Sequence, residues 1–228
     1  MKWSTNKITG LAMISAISYA VMLMGFRFMA SAPFLKYEAK DVILTIGGFM
    51  YGPAEALAAA VVVALAEMLT VSESGIIGFM MNFLAAASYA GIASLVYKKN
   101  RTAEGAVVGL AFGSLSLAAV MLLWNYIVTP IYMNTPREIV AGMLIPVFLP
   151  FNLIKAGLNS AFVLLIYKPL STALRAARLL PADSGKPLGN GQQAGGSRFK
   201  LQVNMGLLIS AVALLVICAF VIFFVFRK

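Results

Sequence analysis

Apolar positions along the chain fall into long unbroken blocks, not the narrow stripe of a soluble amphipathic helix. The blocks are Ile8–Phe26, Val42–Tyr51, Ala54–Val71, Ile76–Tyr97, Ala106–Met133, Met143–Leu174 and Leu201–Phe226, separated by short polar stretches. A helix rising about 1.5 Å per residue needs roughly 20 residues to cross a hydrocarbon layer of about 30 Å. Every block except Val42–Tyr51 approaches or exceeds that length. The short one ends at Gly52-Pro53, so it predicts a helix that cannot span unaided and needs protein around its backbone. Pro130 is expected to interrupt the fifth long helix, and Pro146 and Pro150 predict an irregular entry to the next. Residues 178–200 change to Gly, Pro, Gln, Ser and basic residues, which cannot build an apolar core and read as a flexible solvated linker. The pattern predicts an all-α integral membrane protein: a six-helix bundle over 1–177, a cytoplasmic linker over 178–200 and an additional transmembrane helix over 201–228.

Composition supports this reading. Of 228 residues, 61% are hydrophobic and 11% charged, with a mean hydropathy of +0.90, against roughly 45–50% apolar residues in a soluble domain. A large soluble catalytic domain is excluded. Cys218 is the one cysteine and histidine is absent, so one chain can build neither a disulfide nor a Cys/His metal site nor a nucleophile–histidine pair. No phosphate-binding G-x-x-x-x-G-K-[ST] loop is present, and nucleotide-driven transport would need another subunit. No cofactor, metal or enzymatic activity is expected.

The formal charge of +10 reads as orientation and not as a nucleic-acid surface, because basic residues lie mainly between the apolar blocks. Lys2, Lys7, Lys98, Lys99, Arg101, Lys168, Arg175, Arg178, Lys186, Arg198 and Lys200 fall on one side of the predicted layout. Lys36, Lys40, Arg137, Arg227 and Lys228 fall on the other. That asymmetry places the N-terminus in the cytoplasm of a multi-pass cell-membrane protein. Ala30-Ser31-Ala32 looks like a signal-peptidase site, but the length of the first block and the intervening Arg27 favour a retained helix.

Several polar residues interrupt the apolar blocks. Asn152 and Lys155 share a helical face just after Pro150. A charge there either snorkels to the interface or faces a wet cavity, where ammonium and carboxamide suit carbonyl or ring-nitrogen acceptors. Asn82 and Asn125 are further amides in apolar surroundings, equally suited to a ligand or to joining helices. Lys36, Tyr37, Glu38, Lys40 and Asp41 interleave with Phe34 and Leu35 in the first external loop, either as a solvated loop or as a lid over an aromatic, hydrogen-bonding ligand. Glu67 and Glu73, near the outer end of the third block, are either solvated or ion-paired, or bind a coupling cation. Ala12, Ala16 and Ala20 recur every four residues, a smooth stripe for close approach of a helix within the bundle or of another protein.

Phe34-Leu35-Lys36-Tyr37-Glu38, Gly52-Pro53-Ala54, Asn125-Tyr126 with Pro130 and Tyr132, and Pro150-Phe151-Asn152-Leu153-Ile154-Lys155, in this order and spacing, resemble the riboflavin-specific S components of energy-coupling-factor (ECF) transporters. The likeness covers about residues 8 to 175. It implies a six-helix membrane subunit that captures riboflavin from outside and docks on a transmembrane scaffold with two ABC ATPases. It further implies docking through Ala12, Ala16 and Ala20, and ligand contacts around Leu35, Lys36, Tyr37 and Glu38 and at Asn125, Asn152 and Lys155; Asn82 and Tyr132 are further candidate contacts. Two departures stand out: Glu67, where a lysine or neutral residue is expected, and the helix beyond residue 200. An S component for another vitamin, thiamine or pantothenate, and a non-transporting membrane scaffold are the alternatives.

Overall fold

The computed structural model describes residues 5–29, 32, 34–72, 74–176 and 205–226; the linker expected at 178–200, Glu73 and the Ala30-Ser31 pair lie outside them. Among the described residues there is no β-strand, and the single departure from helix-and-loop structure is an antiparallel bridge between Phe26 and Tyr37. The helices are α1 (Thr5–Leu23), α2 (Lys40–Tyr51), α3 (Pro53–Thr70), α4 (Gly75–Lys99), α5 (Ala103–Met133), α6 (Arg137–Ala176) and α7 (Met205–Phe226). Helix α3, α4, α5 and the stretch Arg137–Leu170 of α6 are each long and apolar enough to cross a membrane.

The sheltering that α2 requires is provided by the bundle. All twelve of its residues are buried, and it touches α1, α3, α4 and α6. At about 1.5 Å per residue it is roughly 18 Å long, too short to span a hydrocarbon layer of about 30 Å, and protein encloses it along its whole length. Gly52, at φ 120°, makes the turn out of α2, and Pro53 opens α3 at a position where its missing N–H costs nothing.

Proline acts differently at its two predicted sites. Pro130 does not interrupt α5. The helix runs through it to Met133, and the Pro130 carbonyl then receives the N–H groups of Asn134 and Thr135. Proline removes only its own donor, and this one lies in the last turn, where loss of one hydrogen bond is tolerated. The entry to α6 is irregular, as expected. Arg137–Met143 passes into a π-helical turn, Leu144–Phe148, that contains Pro146, before Leu149–Ala176 continues as α-helix. A second π-helical turn, Ala87–Gly91, interrupts α4.

Helices α4 and α5 approach closely because Gly109 and Gly113 face the carbonyls of Ala93 and Tyr89. A Cβ at either glycine would lie 2.7 Å from the oxygen it faces. Helix α7 packs along α6, with Cys218 against Gly157.

Candidate functional site

The loop between α1 and α2 crosses one end of the bundle and is tied down by backbone and aromatic contacts. Phe26 and Tyr37 exchange two backbone hydrogen bonds of 3.0 and 2.9 Å. Phe28 stacks on Phe151 of α6 with ring centroids 5.4 Å apart. Phe34 lies 6.0 Å from Phe148. Phe28 and Leu35 of the loop pack with Met29, Ala32, Val147 and Phe151, which gives the loop a small core of its own.

Beneath this loop lies a cavity of about 350 Å³, within the size range of sites for small molecules. Its apolar wall comes from Leu35, Val71, Met81, Met121 and Phe151. Its polar groups include Lys36 and Glu38 of the loop, Glu67 of α3, Asn82 of α4, Asn125 and Thr129 of α5, and Asn152 and Lys155 of α6. Of the nine residues singled out for ligand contact, Leu35, Lys36, Glu38, Asn82, Asn125, Tyr132, Asn152 and Lys155 line this one space. Tyr37 does not. It is buried beside the cavity, with its hydroxyl donating to Asn159 Oδ1 at 3.0 Å. Burial and the charge of Asp41 hold its phenol above the ordinary value, so it remains a neutral donor at physiological pH.

The polar groups are organised before any ligand arrives. Asn152 and Asn125 each use one amide hydrogen on the carbonyl a turn earlier, Phe148 at 2.8 Å and Met121 at 2.7 Å. This fixes the orientation of each amide. Lys155 does not snorkel to the interface. It is buried with its ammonium 3.4 Å from Asp41, as a charge in an apolar bundle requires.

Lys40 of α2, fully buried, binds Glu38 at 2.8 Å and also Glu67. Glu38 in turn meets Lys36 at 3.2 Å, and Glu67 accepts a hydrogen bond from Asn82 at 2.7 Å. Burial pushes the Glu38 carboxyl up, but Lys40, with Lys155 and Lys36, outweighs this and holds it below the ordinary carboxylate value. Glu38, Glu67 and Asp41 are thus each paired with a lysine, and Arg27 of the loop is a further cation at the cavity wall.

Sequence reasoning left Glu67 between solvation, ion pairing and cation binding; the structure pairs it with Lys40. Phe151, Thr129 and Met121 escaped notice because apolar and hydroxyl residues in a membrane helix carry no signal of what they face. Among the described residues no cluster of His, Cys, Asp and Glu could hold a metal ion.

The alanine stripe lies apart from the cavity, and no residue lines both it and the groove beside the stripe. Ala12, Ala16 and Ala20 are exposed on α1. The first two border an apolar groove of about 540 Å³ shared with Ala58, Val62 and Ala66 of α3. Both ends of this α1–α3 contact are pinned, by the Lys7–Glu55 ion pair at one and a 2.8 Å hydrogen bond from Tyr19 to Thr70 at the other.

A family model described as the ECF transporter substrate-specific component matches residues 6–167. The chain belongs to this family. The riboflavin transporter RibU of Streptococcus thermophilus is 27% identical over 180 residues, covering 75% of this chain and 85% of that protein. The riboflavin transporter FmnP of Bacillus subtilis is 28% identical over 191 residues, covering 76% and 98%. A solved S component of a bacterial ECF transporter superposes with a TM-score of 0.62 at 28% identity, covering 74% of this chain and 97% of that one. As an ECF substrate-specific component the chain is a multi-pass membrane protein that binds a transported solute; it is not an enzyme. Helix α7 lies beyond the residues the family model matches.

Proposed function

We propose that this ECF substrate-specific component captures riboflavin at the outer face of the cytoplasmic membrane and takes part in its uptake. The observation that carries the reading is the composition of the cavity wall. Aromatic, methionine and leucine side chains on one side suit a flat tricyclic ring. Asn125, Asn152 and Lys155 supply donors and acceptors that suit its uracil-like edge, and Glu38, Glu67, Asn82 and Thr129 suit the hydroxyls of the ribityl chain. The names of the curated relatives support the same solute.

ATP hydrolysis resides in partners: a transmembrane scaffold subunit and two ABC ATPases. Docking on the scaffold uses Ala12, Ala16 and Ala20, whose small side chains leave α1 smooth where it borders the groove on α3. The N-terminus faces the cytoplasm, in keeping with the distribution of Lys and Arg. Residues 1–177 form the substrate-binding domain, 178–200 the cytoplasmic linker and 201–228 an added membrane helix.

The test is uptake of radiolabelled riboflavin in cells lacking their own importer. Co-expression of this chain with its ECF partners should give saturable accumulation that excess unlabelled riboflavin abolishes and excess thiamine or pantothenate does not. No accumulation above the partners alone, or competition by thiamine or pantothenate, would overturn the assignment.

A further inference from the structure

Lys40 is the most deeply buried cation described in the bundle, with 2% of its surface exposed, yet it does not line the cavity. Its ammonium bridges two carboxylates that do. Glu38 reaches it from the loop at 2.8 Å and Glu67 reaches it from α3. Each carboxylate gives Lys40 one oxygen, and its other oxygen is oriented by a second partner: Lys36 at 3.2 Å for Glu38, Asn82 at 2.7 Å for Glu67. A carboxylate offers about four lone-pair sites, so both retain acceptor capacity toward the cavity they line. Lys40 is itself fixed from behind, where Ser18 of α1 donates to its backbone carbonyl at 2.9 Å.

We infer that Lys40 is a positioning residue for substrate recognition: it holds Glu38 and Glu67 at the cavity wall as paired acceptors for the donor groups of the solute, and it fastens the outer loop to α3. The inference deepens the riboflavin reading and rests on it, since the ribityl chain of that solute brings several hydroxyl donors to the cavity. The charged and polar groups around the pair are Arg27 and Lys36 on the loop, Asp41 on α2, Asn82 on α4 and Lys155 on α6. Lys40 is the one cation that Glu38 and Glu67 share. Without it the two buried carboxylates lose their common counter-charge, and the pair takes up a proton on mild acidification.

The full chain in detergent tests this with Lys40→Met, which keeps the length of the side chain and removes the charge. Riboflavin affinity, read by quenching of flavin fluorescence, and thermal unfolding without ligand are measured at pH 8 and pH 6. In the unmodified chain neither should change appreciably between the two pH values. Lys40→Met should weaken riboflavin binding by about tenfold or more at pH 8, as expected for acceptors no longer held in place. Its unliganded unfolding temperature should rise on going from pH 8 to pH 6, because the folded cluster then binds a proton more tightly than the unfolded chain. Adding Glu67→Gln removes one of the two acids left without Lys40 and should abolish that rise.

Wild-type affinity in Lys40→Met, or an unfolding temperature lowered equally at both pH values, would overturn the inference and leave Lys40 a packing residue. Should Lys40→Met fail to fold, the isosteric Glu67→Gln variant applies: severalfold weaker riboflavin binding supports the inference and unchanged binding overturns it. If the unmodified chain binds no riboflavin, the riboflavin reading fails, and the unliganded pH response alone decides whether Lys40 holds the two acids.

Discussion

Asn152 and Lys155 share the face of α6 that looks into the cavity, but they are held there differently, and their substitutions should differ accordingly. Asn152 is anchored by its own helix, so Asn152→Ala removes a ligand contact and little else. It should cost riboflavin binding about 1–3 kcal/mol with the unfolding temperature nearly unchanged. Lys155 is the ammonium beside Asp41, whose carboxylate oxygens have no hydrogen-bond partner in the structure. Lys155→Met leaves that acid without its neighbouring charge, and should lower both affinity and stability, measured by titration and by thermal unfolding in detergent. Glu38 adds a pH dependence. Its folded carboxyl lies below the ordinary 4.5, so the unfolded chain binds more protons as the pH drops through that value, and stability falls on acidification. The unfolding temperature should hold steady from pH 8 to about pH 5 and decline below 4.5. Glu38→Gln should remove this residue's share of the decline.

At the scale of the helices, what was legible in the sequence follows from the range over which sequence carries information. Block length identifies α3, α4 and α5, because spanning a bilayer is a local requirement on consecutive residues. The burial of α2 was readable from its shortness together with Gly52-Pro53. The i,i+3 spacing put Asn152 and Lys155 on one face for the same local reason. The partnership of Lys40 with Glu67 was not readable, since 27 positions separate them and only the packing of α2 on α3 brings them together. Nor did sequence reveal that Tyr37 turns from the cavity to Asn159, a choice made by the backbone bridge to Phe26. Pro130 misled because the rule that proline breaks helices weakens in a last turn. Two packing predictions belong here. Gly113→Val, which puts side-chain carbon against the Tyr89 carbonyl, should destabilise the protein by about 1–3 kcal/mol through overpacking, read by thermal unfolding. Ala16→Trp, on an exposed face of α1, should leave riboflavin binding intact while abolishing co-purification with the ECF scaffold; retained co-purification would refute the docking role.

For the whole molecule, the two faces of the bundle divide the work. In the proposed function, the polar cavity roofed by an aromatic-anchored loop holds the solute, and the apolar groove on the α1–α3 side, lined chiefly by alanine and valine, is the surface offered to a partner in the membrane. Neither requires a catalytic group, which is consistent with membership of a family whose role is substrate binding. The central claim is that this cavity encloses a flavin. Its most direct test is a fluorescence titration of riboflavin with the purified chain, run beside Asn152→Ala. The account predicts quenching that saturates at one flavin per chain and shifts to weaker affinity in the variant. Absence of quenching, or a titration identical in the two proteins, would contradict it.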